Sequence, residues 1–125
     1  MGREKEENIV PVRKLLDAGI LTALGTDNVP ISLFHPIWHT VARLPRGGGP
    51  AIAPAQAISR EEALRLATRH GAALSFEEDA KGSLEPGKLA DLAVLDDDPL
   101  TGDLERLPQL RATRTIVGGK VVYPP

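Results

Sequence analysis

The chain has 125 residues, a formal net charge of −2, 42% hydrophobic and 26% charged residues, which is the profile of one soluble globular domain and not of a disordered segment. Its 15 basic and 17 acidic residues form no long block of either sign, so nothing points to nucleic acid or to an anionic membrane surface as a partner. The absence of cysteine excludes a disulfide framework and thiolate metal sites, and without a signal-like or spanning apolar stretch the expected location is the cytoplasm.

The large rings are Phe34, Trp38, Phe76 and Tyr123, so the core must be built from Leu, Val, Ile and Ala. A domain of this size buries only about two thirds of its unfolded surface, and 11 Pro with 12 Gly leave it little margin. The opening MGREKEEN is charged and unpatterned, suited to a frayed start or an exposed first helical turn. From Pro11, PVRKLLDAG sets Val12, Leu15 and Leu16 at helical spacing and closes on Gly19, the residue type that ends helices in a left-handed conformation. ILTAL follows at once, residues 20–24, and reads as a strand buried on both faces in an α/β unit. Behind it comes Gly25-Thr26-Asp27. Parallel α/β architectures gather functional groups at the carboxyl ends of strands, so Asp27 is a candidate functional carboxylate. Equally, it suits a cap on the next helix or an Asx turn with Val29.

The pattern predicts a helix starting at Pro36, with Ile37, Val41 and Leu44 on one side and Trp38 near its entry. His35 and His39 are four apart, a spacing that can set two imidazoles on one helix face as metal ligands. Against that, no Glu intervenes and Pro36 places His35 before the helix. LPRGGGPAIAPAQA has the composition of a mobile surface loop or lid, here taken over residues 45–58. SREEALRLATRHGAAL then reads as a helix, with Ser59 and Glu62 as a capping box and Ala63, Leu66, Ala67 and Leu74 along an apolar stripe. His70, near a helix end, suits an interaction with the helix dipole. Neither Ser nor His stands in a nucleophile-elbow context.

KGSLEPGKLADLAVLDDDPL places two glycine turns before a short strand, ADLAVL, that Asp96 to Pro99 terminates. Asp91, at the strand's start, is suited to accept backbone N–H bonds, with Lys88 as a local countercharge. ATRTIVGGKVVYPP reads as strand, Gly118-Gly119 turn, strand. The order is α/β first and antiparallel β last.

LLDAGILTALGTDNVP, SREEALRLATRHGAALSFEEDAKGSLEPGKLADLAVLDDDPL and TRTIVGGKVVY, in that order, closely resemble the carboxyl-terminal part of metal-dependent amidohydrolases. The particular resemblance is to amidohydrolase family 3, the YtcJ-like group that includes N-substituted formamide deformylases, and it spans the chain from Pro11 on. The resemblance implies an α/β fragment. Residues 1–80 would be the last strand and helices of a (β/α)₈ TIM-like barrel, and residues 81–125 the carboxyl-terminal strands of a small β-sandwich.

It further implies that Asp27 is a metal ligand and a catalytic residue, taking a proton from metal-bound water and passing it to the leaving nitrogen of a small amide-type substrate. The divalent metal, zinc in expectation, belongs to the intact family. Its His-x-His pair, bridging ligand and later His ligands correspond to chain preceding Pro11, so this chain by itself is expected to bind no catalytic metal and to be inactive. Arg43 could contact substrate in the parent, with a surface salt bridge as its alternative, and the loop from Pro45 to Pro54 could cover the parent's site. The expected function is therefore that of a carboxyl-terminal amidohydrolase fragment. The rival is a stand-alone module that oligomerises, or that completes a barrel supplied by a separate chain through exposed ILTAL and TIVGGKVVY.

Overall fold

A computed structural model of the chain describes residues 3–27, 32–45 and 47–124. Helices α1 (Arg3–Glu6), α2 (Val12–Asp17), α3 (Phe34–Ala42), α4 (Arg60–Ala67) and α5 (Arg69–Leu74) precede strand β1 (Leu92–Leu95). Strands β2 (Ala112–Val117) and β3 (Lys120–Tyr123) follow, and 3₁₀ segments occupy Pro54–Gln56 and Leu104–Gln109.

The core is aliphatic, as the shortage of rings requires. Ile37, Leu66 and Leu107 are the largest fully buried side chains, and they come from α3, α4 and the second 3₁₀ helix. Val12, Ile58, Ala63 and Leu110 complete the cluster, with Leu24, Phe34, Trp38 and Leu104 packed on its margin. The segment Leu104–Gln109 enters this core without an α-helical pattern. At three residues per turn, Leu104, Leu107 and Leu110 fall on one side, and Asp103 starts the helix by accepting a hydrogen bond from Glu105 N.

The expected capping box is present. Ser59 Oγ accepts from Glu62 N at 3.1 Å and Glu62 Oε2 accepts from Ser59 N at 2.8 Å. Arg13 donates to the other Glu62 oxygen at 2.7 Å, so the cap of α4 also fastens α2. The expected continuous helix from Ser59 to Leu74 is instead broken at Thr68 (φ −121°, ψ −83°), whose hydroxyl donates back to Leu64 O at 2.8 Å. Such local bonds compete with the helical ladder. Beyond the break Leu74 leaves the stripe and is exposed.

Helix α3 begins at Phe34, two residues before the expected start, and contains His35. Pro36 sits in its first turn, where the missing N–H has no ladder partner to lose. At the other end Arg43 adopts a left-handed conformation (φ +56°) and stops the helix.

Residues 20–26 form no strand, contrary to expectation. An apolar strand covered on both faces requires neighbours on its edges, and the three strands among the described residues pair only with one another. The segment is held by Ile20 N to Leu15 O at 2.9 Å and Leu24 N to Leu66 O at 3.2 Å. A third bond runs from His70 Nδ1 to Thr22 O at 2.9 Å. His70 is the second residue of α5, at the end where a helix dipole disfavours a cation, so its role is this bond and not the expected dipole interaction. The Gly/Pro stretch is exposed over 47–52, but its second half is anchored. Ala53, Gln56 and Ile58 are buried, and Gln56 accepts from Lys14 N and donates to Glu7.

The sheet is antiparallel in the order β1-β2-β3, with Leu92 opposite Ile116 and Val117 opposite Lys120. Gly118 and Gly119 have φ of +55° and +79°, the two positive values that a type I′ hairpin needs. Asp91 accepts from Gly118 N at 2.7 Å, as expected of it. Lys88 turns away to Glu85 and to Ser83 Oγ and is not the countercharge of Asp91.

Two outcomes test this packing. A Cβ on Gly82 (φ +94°) would lie 2.7 Å from Ala72 Cβ and 3.2 Å from Arg69 Cα, so Gly82→Ala should cost about 2–4 kcal/mol in urea unfolding. The second concerns Glu62, whose carboxyl is held below its ordinary 4.5 by the Ser59 backbone N–H and then by Arg13. Because the folded value is depressed, its stabilisation is present above pH 4.5 and disappears as pH falls through the folded value. The difference in urea midpoint between wild type and Glu62→Gln should therefore shrink from pH 6 to about pH 3.

Candidate functional site

Asp27 closes the segment 20–26 in a left-handed conformation (φ +45°), which aspartate tolerates better than most residues, and its side chain is exposed. It does not cap the following helix: α3 has Leu33 at its N-cap and no side-chain cap bond. The alternative Asx turn with Val29 lies outside the described residues. Among the described residues no group of three or more His, Cys, Asp or Glu is gathered to hold a metal ion. A catalytic zinc takes about three protein ligands, so the described residues do not fit one unaided, and Asp27 offers a single carboxylate.

Arg43 stands at the junction of three segments. Its Nε donates to Ile52 O at 3.1 Å, Nη1 to Val10 O at 3.2 Å and Nη2 to Ile9 O at 2.8 Å. The residue is 8% exposed, and burial pushes its pKa down, opposed by the nearby charge of Glu7. The guanidinium fork is thus occupied by backbone carbonyls. Nothing in the local sequence announces this, because the three acceptors are main-chain atoms of residues with apolar side chains.

The third constellation lies on α3. The rings of His35 and His39 are 5.4 Å apart between centroids, and Trp38 lies 6.1 Å from the first and 4.9 Å from the second. His39 Nδ1 donates to Leu44 O at 3.0 Å, which fixes the imidazole and leaves Nε2 as its other nitrogen. Trp38 Nε1 is buried with no hydrogen-bond partner among the described residues.

Open clefts of about 460 and 800 Å³ occur among the described residues, and neither of these is lined by Asp27 or Arg43. The smaller combines Arg65, Arg69, Lys81 and Lys88 with Glu78 and Asp79. Three of those cations are already paired, with Glu61, Glu77 and Glu85, so the cleft selects no sign of charge. Among the described residues no helix is long and apolar enough to cross a membrane.

Comparison with known proteins gives these residues a context. The chain is 38% identical to the N-substituted formamide deformylase of Arthrobacter pascens over 125 residues, covering 96% of this chain and 23% of that protein. It is 27% identical to the putative amidohydrolase YtcJ of Bacillus subtilis, covering 98% of this chain and 24% of the relative. Imidazolonepropionase of Porphyromonas gingivalis is 35% identical over 90% of this chain and 25% of its own length. Among solved structures, an amidohydrolase from Thermotoga maritima superposes with a TM-score of 0.66 at 26% identity, over 90% of this chain and 25% of that one. The chain thus spans about a quarter of the length of these relatives. The profile of the amidohydrolase family matches residues 1–123, and the chain belongs to that family.

Proposed function

We propose that this chain is the carboxyl-terminal part of a metal-dependent amidohydrolase that hydrolyses non-peptide C–N bonds of small amide-type molecules, and that alone it does not catalyse the reaction. Support comes from coverage of about a quarter of several relatives together with a solitary exposed carboxylate, Asp27, and no gathered ligand set around it among the described residues. ILTALGTD, residues 20–27, would then be the eighth strand of a (β/α)₈ barrel whose neighbouring strands belong to the other three quarters. Residues 81–125 would belong to a composite β-sandwich. Asp27 contributes one carboxylate, a group that can both ligate a divalent cation and hold a proton. Arg43, with its fork on three carbonyls, lies at the junction of the amino-terminal arm, α3 and the Gly/Pro loop.

The test is a chimera. The isolated chain should not turn over N-substituted formamides with zinc present, whereas the upstream three quarters of the formamide deformylase joined to this chain should. Asp27→Asn in the chimera should lower the rate by about 10²–10⁴-fold. Turnover by the isolated chain, or a chimera indifferent to Asp27→Asn, would defeat the proposal.

A second reading, a module that oligomerises or complements a separate barrel chain, is favoured by one observation: every residue of β3 is exposed, as are Ile20 and Leu21. Light scattering across a hundredfold range of protein concentration should then show a rising mass, and a constant monomer mass would count against it.

A further inference from the structure

The break between α4 and α5 has a use that extends the proposed reading of Asp27, on which this inference rests. In a continuous helix the Leu66 carbonyl would accept from His70 N, four residues on. With the helix interrupted at Thr68, Leu66 O accepts instead from Leu24 N at 3.2 Å. The His70 imidazole reaches a residue 48 positions away, its Nδ1 lying 2.9 Å from Thr22 O, and since a carbonyl only accepts, the proton of this bond sits on Nδ1. Residues on both sides of the break thus grip the segment 20–26 at alternate positions, Thr22 by its carbonyl and Leu24 by its amide. Leu24 N is the last main-chain group before Asp27 that is hydrogen-bonded among the described residues. Only Gly25 and Thr26 lie between it and the carboxylate.

We infer that His70 is a positioning residue, which sets where Asp27 stands by holding the carbonyl of Thr22. It lines the smaller cleft, which Asp27 does not, so it acts on the carboxylate through the main chain. Displacing a reacting group by about 1 Å can cost about 10²-fold in rate, which gives so remote a bond its leverage. The substitutions that isolate it follow from side-chain chemistry. Asparagine carries its amide nitrogen at the same branch point where histidine carries Nδ1, and can keep the bond. Phenylalanine keeps the ring and loses the donor, and glutamine carries its donor one bond too far out.

In the chimera with the upstream three quarters of the formamide deformylase, His70→Phe should lower kcat by about 10–100-fold with KM within about twofold, and His70→Asn should restore most of the loss. His70→Gln should behave as His70→Phe does, and takes its place if the latter fails to fold. In an Asp27→Asn background His70→Phe should cost no more than about twofold further, because a group that works through Asp27 then has nothing left to position. A merely structural role would cost the same in both backgrounds. A second readout needs no turnover. In the chain by itself, hydrogen exchange at the Leu24 amide should be about tenfold faster in His70→Phe than in wild type, and near wild type in His70→Asn. Exchange at the Ala63 amide, bonded to Ser59 O at the start of α4, should be equal in all three and so shows that the variants are folded. The inference alone is overturned by a chimera that loses turnover on Asp27→Asn but not on His70→Phe, by costs that add, or by unchanged Leu24 exchange. A chimera indifferent to Asp27→Asn defeats the reading of Asp27 and, with it, this use of the grip, whatever Leu24 exchange shows.

Discussion

A guanidinium withdrawn from water is tolerated only where its donors are matched, and Arg43 meets that demand with the carbonyls of Ile9, Val10 and Ile52. One side chain thereby fixes the path of the amino-terminal arm, the end of α3 and the return of the Gly/Pro loop. The neighbouring links continue the same layer: Gln56 joins Lys14 and Glu7, and Arg13 joins the cap of α4. With these polar ties in place, Val12, Ile37 and Leu66 can close on one another around Leu107. Shortening Arg43 would remove the donors of three carbonyls at once.

Features legible in the sequence are those whose cause is local. The Ser59 cap, the Gly19 helix stop, the Gly118-Gly119 turn and the Asp91 acceptor each depend on a few adjacent residues, and each is present. The aliphatic core followed from the count of rings alone. Features that failed depend on neighbours distant in the chain. ILTAL has the composition of a buried strand, yet a strand exists only where another lies beside it. Leu104, Leu107 and Leu110 repeat every three residues, a period that a search for 3.6 passes over. The clamp made by Arg43 uses carbonyls, which every residue possesses and none advertises. Asp27 is a separate case: it was expected at the end of a strand that does not form, and the metal-ligand role expected of it came only from likeness to a family.

That likeness places a demand on the site that the described residues do not meet. Catalytic groups act when held within a fraction of an ångström of their working geometry by surrounding packing. Here the segment leading to Asp27 is fastened by the amides of Ile20 and Leu24 and by the His70 imidazole, and the carboxylate itself is exposed. The chain belongs to the amidohydrolase family, and among the described residues Asp27 has no ligand group gathered around it.

The bond from Gly118 N to Asp91 spans 27 residues, and beside it Gly119 N donates to Ala90 O at 3.0 Å. The tip of the last hairpin is therefore latched to the approach of the first strand, main chain to side chain and main chain to main chain. Two stretches that look like independent signatures are one mechanical unit. A graft that moved either of them into another protein without its counterpart would leave a hairpin with no catch.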